Sequence, residues 1–129
     1  VLKQHGVDVI DCSSGGMTDA ATGDAPPSYG YQVPYAQRIR AGADIKTMAV
    51  GLIIHADQAE EVIRSGSADL VALGRELLHN PNWPIDAAQK LGVESPFANV
   101  AQSCGYWLEK RAANRVGIKP STWQRGING

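Results

Sequence analysis

The residues Leu73-Gly74-Arg75-Glu76-Leu77-Leu78 carry the clearest chemical signal in the chain, because a short apolar run passes there through a glycine and an arginine into a helix-like stretch. Backbone N–H groups at a helix start lack intrahelical acceptors and attract anions, glycine lets the backbone come close, and a guanidinium grips phosphate through two charge-assisted bonds. The chemistry this pattern suits is the holding of a phosphate. A second glycine, Gly51, lies at the end of the preceding apolar run, Thr47 to Ile53. Singly, Arg75 could pair with a neighbouring carboxylate and Gly51 could be a plain turn, but at consecutive strand ends the two together favour the phosphate.

Other reactive side chains are weaker candidates. Cys12 falls inside an apolar run with no base or cation nearby in sequence, so it is expected to pack rather than attack. Cys12 and Cys104 have no metal-binding spacing. His5 precedes a strand and His79 follows helix-like sequence, so both are expected to be solvated or capping; His55 follows Ile53 and could approach the phosphate. Asp8 and Asp69 open apolar runs whereas Asp11 lies near the end of one, so the three are not expected to cluster. No metal site is predicted.

The elements that must position these residues alternate in type. Val7 to Cys12 is short, rich in β-branched residues and closed by Ser13-Ser14-Gly15-Gly16, as a buried strand ending in a polar loop should be. A long Gly-, Pro- and Ser-rich loop, Gly15 to Tyr31, follows, and then a helix over Gln32–Ala41 with an apolar stripe at Val33, Ala36 and Ile39. Strand Thr47–Ile53, helix Ala56–Ser65, strand Ala68–Leu73 and a helix over Pro84–Leu91 complete three βα units. Such spacing predicts parallel strands with right-handed crossovers. In a (β/α)8 barrel the phosphate site is commonly built from the loops after strands 7 and 8, so Gly51 and Gly74-Arg75 are expected to be those loops and Val7–Cys12 strand 6.

A complete barrel of this kind needs about 250 residues, and the chain has 129. It also opens on Val1, and Leu2 to Gly6 reads as the end of a helix entering a strand, so the expectation is a chain that continues upstream. Residues 1–93 are expected to be the C-terminal βα units of the barrel. Residues 94–129 form a Pro- and Gly-punctuated tail with a short helix at Tyr106–Asn114, and Lys119–Gly129 is expected to need a partner to be ordered. Twelve basic and thirteen acidic side chains give a net charge of −1, which argues against nucleic acid or an anionic membrane surface as partner. No apolar run approaches a membrane span, and the cysteine usage suits a reducing cytoplasm.

Together, Val9-Ile10-Asp11-Cys12-Ser13-Ser14-Gly15, Gly30-Tyr31-Gln32-Val33-Pro34, Ala49-Val50-Gly51 and Ala68 to Leu78 resemble the Old Yellow Enzyme family, in its bacterial NADPH dehydrogenase and xenobiotic reductase branch. The resemblance covers most of residues 6–91 in order. It implies an FMN-dependent ene-reductase in which NADPH or NADH reduces the flavin and the flavin passes hydride to an activated alkene such as an α,β-unsaturated carbonyl compound. By the same resemblance, Ser13, Gly51, Gly74 and Arg75 match the residues that hold the FMN phosphate. The family's carbonyl-binding pair, its proton-donating tyrosine and the groups tuning the isoalloxazine come from earlier strands, so no catalytic residue is expected in this chain. The missing N-terminal part of the barrel is the implied partner, within a homo-oligomer.

Of the three tryptophans, Trp83 and Trp123 are expected to be packing or tail residues. Trp107 and Arg111, in Gly105-Tyr106-Trp107-Leu108-Glu109-Lys110-Arg111, resemble the C-terminal segment that relatives extend across a dimer interface towards the neighbouring active site, although this chain continues well past Arg111. Two other readings compete: part of another FMN-dependent barrel, or a non-catalytic half-barrel module that needs a complementary chain. A Rossmann domain is disfavoured because no GxGxxG follows a strand.

Overall fold

The computed structural model describes residues 1–15 and 28–114. Most of the long loop predicted over 15–31, together with Trp123 and the segment 119–129, lies outside the described residues. A 3-10 turn, Lys3–His5, ends at Gly6, whose φ of 85° is the left-handed conformation that lets the chain reverse into a strand. The elements that follow are β1 (Val9–Cys12), α1 (Val33–Ala43), β2 (Lys46–Ala49), α2 (Ala56–Arg64), β3 (Leu70–Val71), α3 (Arg75–His79), α4 (Trp83–Lys90) and α5 (Gln102–Ala113).

The three strands form a parallel sheet in the order β1-β2-β3, as the alternation of strands and helices predicts. Asp11 lies opposite Met48 and Met48 opposite Leu70, while Cys12, Ala49 and Val71 form the next row. Successive side chains on a strand face opposite ways, so these two rows belong to different faces. The Cys12–Ala49 row joins Ala36, Ile53, Ala59, Val62 and Ala68 in the core, where Ala36 and Ala49 are fully buried. The small side chains on this face let α1 pack closely over β1 and β2 while α2 packs on β3 and α4. On the other face Asp11 is exposed, Met48 is half-buried and Leu70 is 48% exposed.

All three strands are shorter than their apolar runs. In β2 the ladder ends at Ala49 because Gly51 (φ 112°) and Leu52 (φ 48°) turn the backbone out of the extended region. Among the described residues β3 pairs on one side only, leaving a two-residue ladder within Ala68–Leu73. The C-terminal helix is longer than predicted, running from Gln102 rather than Tyr106; Gly105, which weakens the signal, is buried where the helix crosses Val100 and Phe97. Trp83 packs against the core and donates its indole N–H to the Ile54 carbonyl at 2.5 Å, as a packing tryptophan should. No helix among the described residues is long and apolar enough to cross a membrane.

Candidate functional site

Parallel strands send their C-terminal loops to one end of the sheet, and here the loops after β1, β2 and β3 border one depression of about 530 Å³. Ser13, Gly51, Gly74 and Arg75 all line it, each from the loop or helix start that follows its strand. The arrangement brings together four residues that are up to 62 positions apart in sequence.

Each loop has its own reason for its shape. Gly51 is buried with φ 112°, and a Cβ there would stand 3.1 Å from both Gln32 Cγ and Tyr31 Cε1, so any other residue would be strained and would have to push these side chains aside. Leu52 follows with φ 48°, a conformation costly for a branched residue. Gln58, 4% exposed in α2, holds that turn: its Nε2 donates to the Leu52 carbonyl at 2.8 Å, and its Oε1 accepts from the amides of Ile54 at 2.9 Å and His55 at 3.5 Å. Gln32 does the same for the loop after β1, with Oε1 accepting from the Ser14 amide and Nε2 donating to the Ser14 carbonyl, both at 3.1 Å.

At the third loop Gly74 is the N-cap residue of α3, with open space where its Cβ would be. The amides of Gly74, Arg75 and Glu76 donate to no acceptor among the described residues, as expected of a helix start. Arg75 is exposed and takes part in none of the ion pairs among the described residues. Because α3 has five residues, its macrodipole is slight, and unpaired N–H groups with the guanidinium are the features that favour an anion here.

Sequence reasoning did not place several further lining residues at the site, four of them with large polar or charged side chains. His79, read as a solvated or capping histidine, borders the depression from the last position of α3, and Glu76, Tyr31 and Gln32 border it too. A helical i,i+4 relation between Arg75 and His79 is the signal that could have found the histidine. His55 instead begins α2 and lies with its ring 5.4 Å from that of Tyr29, outside the depression. His5 sits at the opposite end of the sheet. Cys12 is 4% exposed, and burial, with Asp11 adding to it, pushes its thiol pKa up, which disfavours the thiolate.

Trp107 and Arg111 do not join the depression. They line a separate groove with Asn80, Asp86, Gln89 and Cys104 between α4 and α5, and Trp107 is 67% exposed, edge-on to Tyr106 and beneath the ammonium of Lys110. The carboxylates Asp8 and Asp69, both read as opening strands, border one depression at the N-terminal end of the strands with Asp44, whereas Asp11, near the end of its strand, does not. No group of three metal-ligating side chains occurs among the described residues.

The family model described as "NADH:flavin oxidoreductase / NADH oxidase family" matches residues 1–94. The chain is similar to "NADPH dehydrogenase" of Geobacillus thermodenitrificans strain NG80-2, 55% identical over 93 residues, which is 72% of this chain and 26% of that relative. "NADPH dehydrogenase" of Geobacillus sp. strain WCH70 is 55% identical over 92 residues, 71% of this chain and 26% of the relative. The Listeria monocytogenes HCC23 protein of the same name is 49% identical over 98 residues, 74% and 28%. The chain thus spans about a quarter of the length of the curated relatives it matches.

Proposed function

The chain belongs to the NADH:flavin oxidoreductase / NADH oxidase family, and on that premise we propose that it supplies the FMN-phosphate site of a (β/α)8-barrel ene-reductase, with β1, β2 and β3 as barrel strands 6, 7 and 8. The observation that carries this reading is the convergence of Ser13, Gly51, Gly74 and Arg75, from three loops, on one depression at the C-terminal end of a parallel sheet. Barrel enzymes place their sites at that end.

A phosphate monoester fits these residues. The missing Cβ at Gly51 keeps the second loop tight against Gln32 and Tyr31, the open space at Gly74 lets an anion approach the backbone, and the amides of Gly74, Arg75 and Glu76 have no competing acceptor. Arg75 adds a charge that no described carboxylate neutralises. FMN, when bound, supplies two-electron chemistry between NADPH or NADH and an activated C=C bond. The chain's own residues bind and orient the phosphate end; the groups that meet the alkene come from the remainder of the barrel.

The test is FMN titration into the apo form of the complete flavoprotein. Arg75→Ala removes one charge-assisted interaction worth roughly 1.5–3 kcal/mol, so FMN affinity is expected to fall about 10- to 150-fold. Arg75→Lys should restore part of it, since lysine keeps the charge and loses the fork. Circular dichroism excludes unfolding. A folded Arg75→Ala protein with parental FMN affinity overturns the reading.

A further inference from the structure

We propose that Gln32 is a positioning residue for the phosphate end of the flavin, an inference that rests on the reading above. Gln32 stands at the N-cap of α1, yet its side chain makes no cap hydrogen bond. Its amide is turned to the loop after β1, 18 residues earlier, where it meets both polar groups of the Ser14 backbone. This two-point pairing copies one rung of a sheet ladder with a side chain in place of a strand. The same Nε2 donates to the Tyr31 hydroxyl at 2.7 Å. The residue is 4% exposed, so water competes poorly for these bonds and their loss would leave buried polar groups unpaired.

Gln32 also reaches the second loop. Its Cγ and Cβ close over Gly51, at 3.1 and 3.2 Å from where a Cβ on that glycine would stand. One side chain therefore fixes the backbone of Ser14 and the approach of Gly51, and so sets the spacing of two of the three loops around the depression. Because the Ser14 amide is occupied by Gln32, the groups left to an anion on that loop are those of its neighbours Ser13 and Gly15, which also line the depression. Preorganised donors bind without a reorganisation cost, so loosening this clamp should weaken the phosphate end of the ligand and spare the ring end.

The experiment compares FMN with riboflavin, which has the same ring system and no phosphate, on the complete flavoprotein in apo form. Gln32→Met keeps the stem over Gly51 and removes the hydrogen bonds. The expected result is a fall in FMN affinity of about tenfold, with riboflavin affinity kept within about twofold. Equal losses for both ligands would make Gln32 merely structural and overturn the proposal, as would an unchanged FMN affinity. Arg75→Ala in the same assay separates the two levels. If Arg75→Ala loses the preference for FMN over riboflavin while Gln32→Met keeps it, the positioning role falls and the phosphate site stands; if both keep it, the phosphate site itself falls and the proposal with it. Should Gln32→Met not fold, amide hydrogen exchange on the parent protein decides. The Ser14 amide is expected to be protected by its bond to a buried acceptor, and free exchange there would overturn the clamp.

Discussion

The two ends of the sheet are built on opposite electrostatic plans. At the N-terminal end Lys3, Arg40 and Lys46 face Asp8, Asp44 and Asp69 around one depression. There Asp69 accepts from Arg40 Nε at 3.0 Å, Arg40 Nη2 at 3.2 Å and the Thr47 amide at 3.0 Å, while Lys3 pairs with Asp44 at 2.8 Å. At the C-terminal end the polar side chains clamp backbone, and Arg75 and three amides of the α3 start are left without partners among the described residues. A charged ligand gains less at an end where two ion pairs, Arg40–Asp69 and Lys3–Asp44, are already made than at an end that keeps donors open. On the proposed function, the difference places stability at one end and ligand binding at the other, the division seen in barrels.

The sharpest way to break this division is to ask whether the open end works alone. The expected result is that the mass-verified 129-residue chain neither holds stoichiometric FMN nor reduces an enone. Among the described residues β1 and β3 each pair on one side only, and the face carrying Met48 and Leu70 leaves Leu70 48% exposed. Such edges and faces call for complementary structure. A flavin absorbance spectrum at one equivalent, or turnover, from the isolated chain would show the depression to be sufficient in itself.

A smaller but more local effect is expected at Gly51, where binding and backbone conformation meet. Gly51→Ala places a Cβ against Gln32 and Tyr31 at φ 112°, with a conformational penalty of roughly 1–3 kcal/mol. In the complete flavoprotein this should lower Tm and weaken FMN binding together. Unchanged FMN affinity in Gly51→Ala would remove the second loop from the phosphate site and narrow the contrast between the two ends to Arg75 and its helix start.

How far the sequence could be read follows the same geography. The order of strands and helices, the parallel sheet and the approach of Gly51 to Gly74 and Arg75 were legible, because period-two and helical patterns and glycines at strand ends are local signals, whereas Ser13 was reached only through the family resemblance. Strand limits were not, since an apolar run continues through Gly51 and Leu52 although their dihedrals end the ladder. The clamps were invisible for another reason. Gln32 meets Ser14 and Arg40 meets Asp69 across 18 and 29 residues, and nothing in the pattern of a polar residue on a helix says which distant backbone it will reach. Trp107 and Arg111 were singled out by resemblance, and they lie apart from the depression, in the groove between α4 and α5.

The smallest expected effect tests the stability end, and it should leave ligand binding untouched. Asp69 sits just before β3 and ties three elements, taking two bonds from α1 through Arg40 and one from the backbone of β2 through Thr47. The hydrogen bond from Arg40, then that from the Thr47 amide, holds its carboxyl below the usual carboxylate range. A folded-state pKa lowered in this way stabilises the protein above the unfolded value of about 3.9, and the contribution is lost as pH falls through that value towards the folded one. Asp69→Asn keeps the shape and an acceptor for Thr47 but removes the charge. At pH 7 the variant is expected to melt a few degrees below the parent, and the gap should hold down to about pH 5 and close below about pH 4. FMN affinity measured at pH 7 on the complete flavoprotein should match the parent within about twofold, since remote sites act independently. A Tm gap that persists unchanged into acid would remove the ion pair as its cause. A loss of FMN affinity as large as that of Gly51→Ala would mean that the two ends are coupled through β3, and the division of labour between them would have to be abandoned.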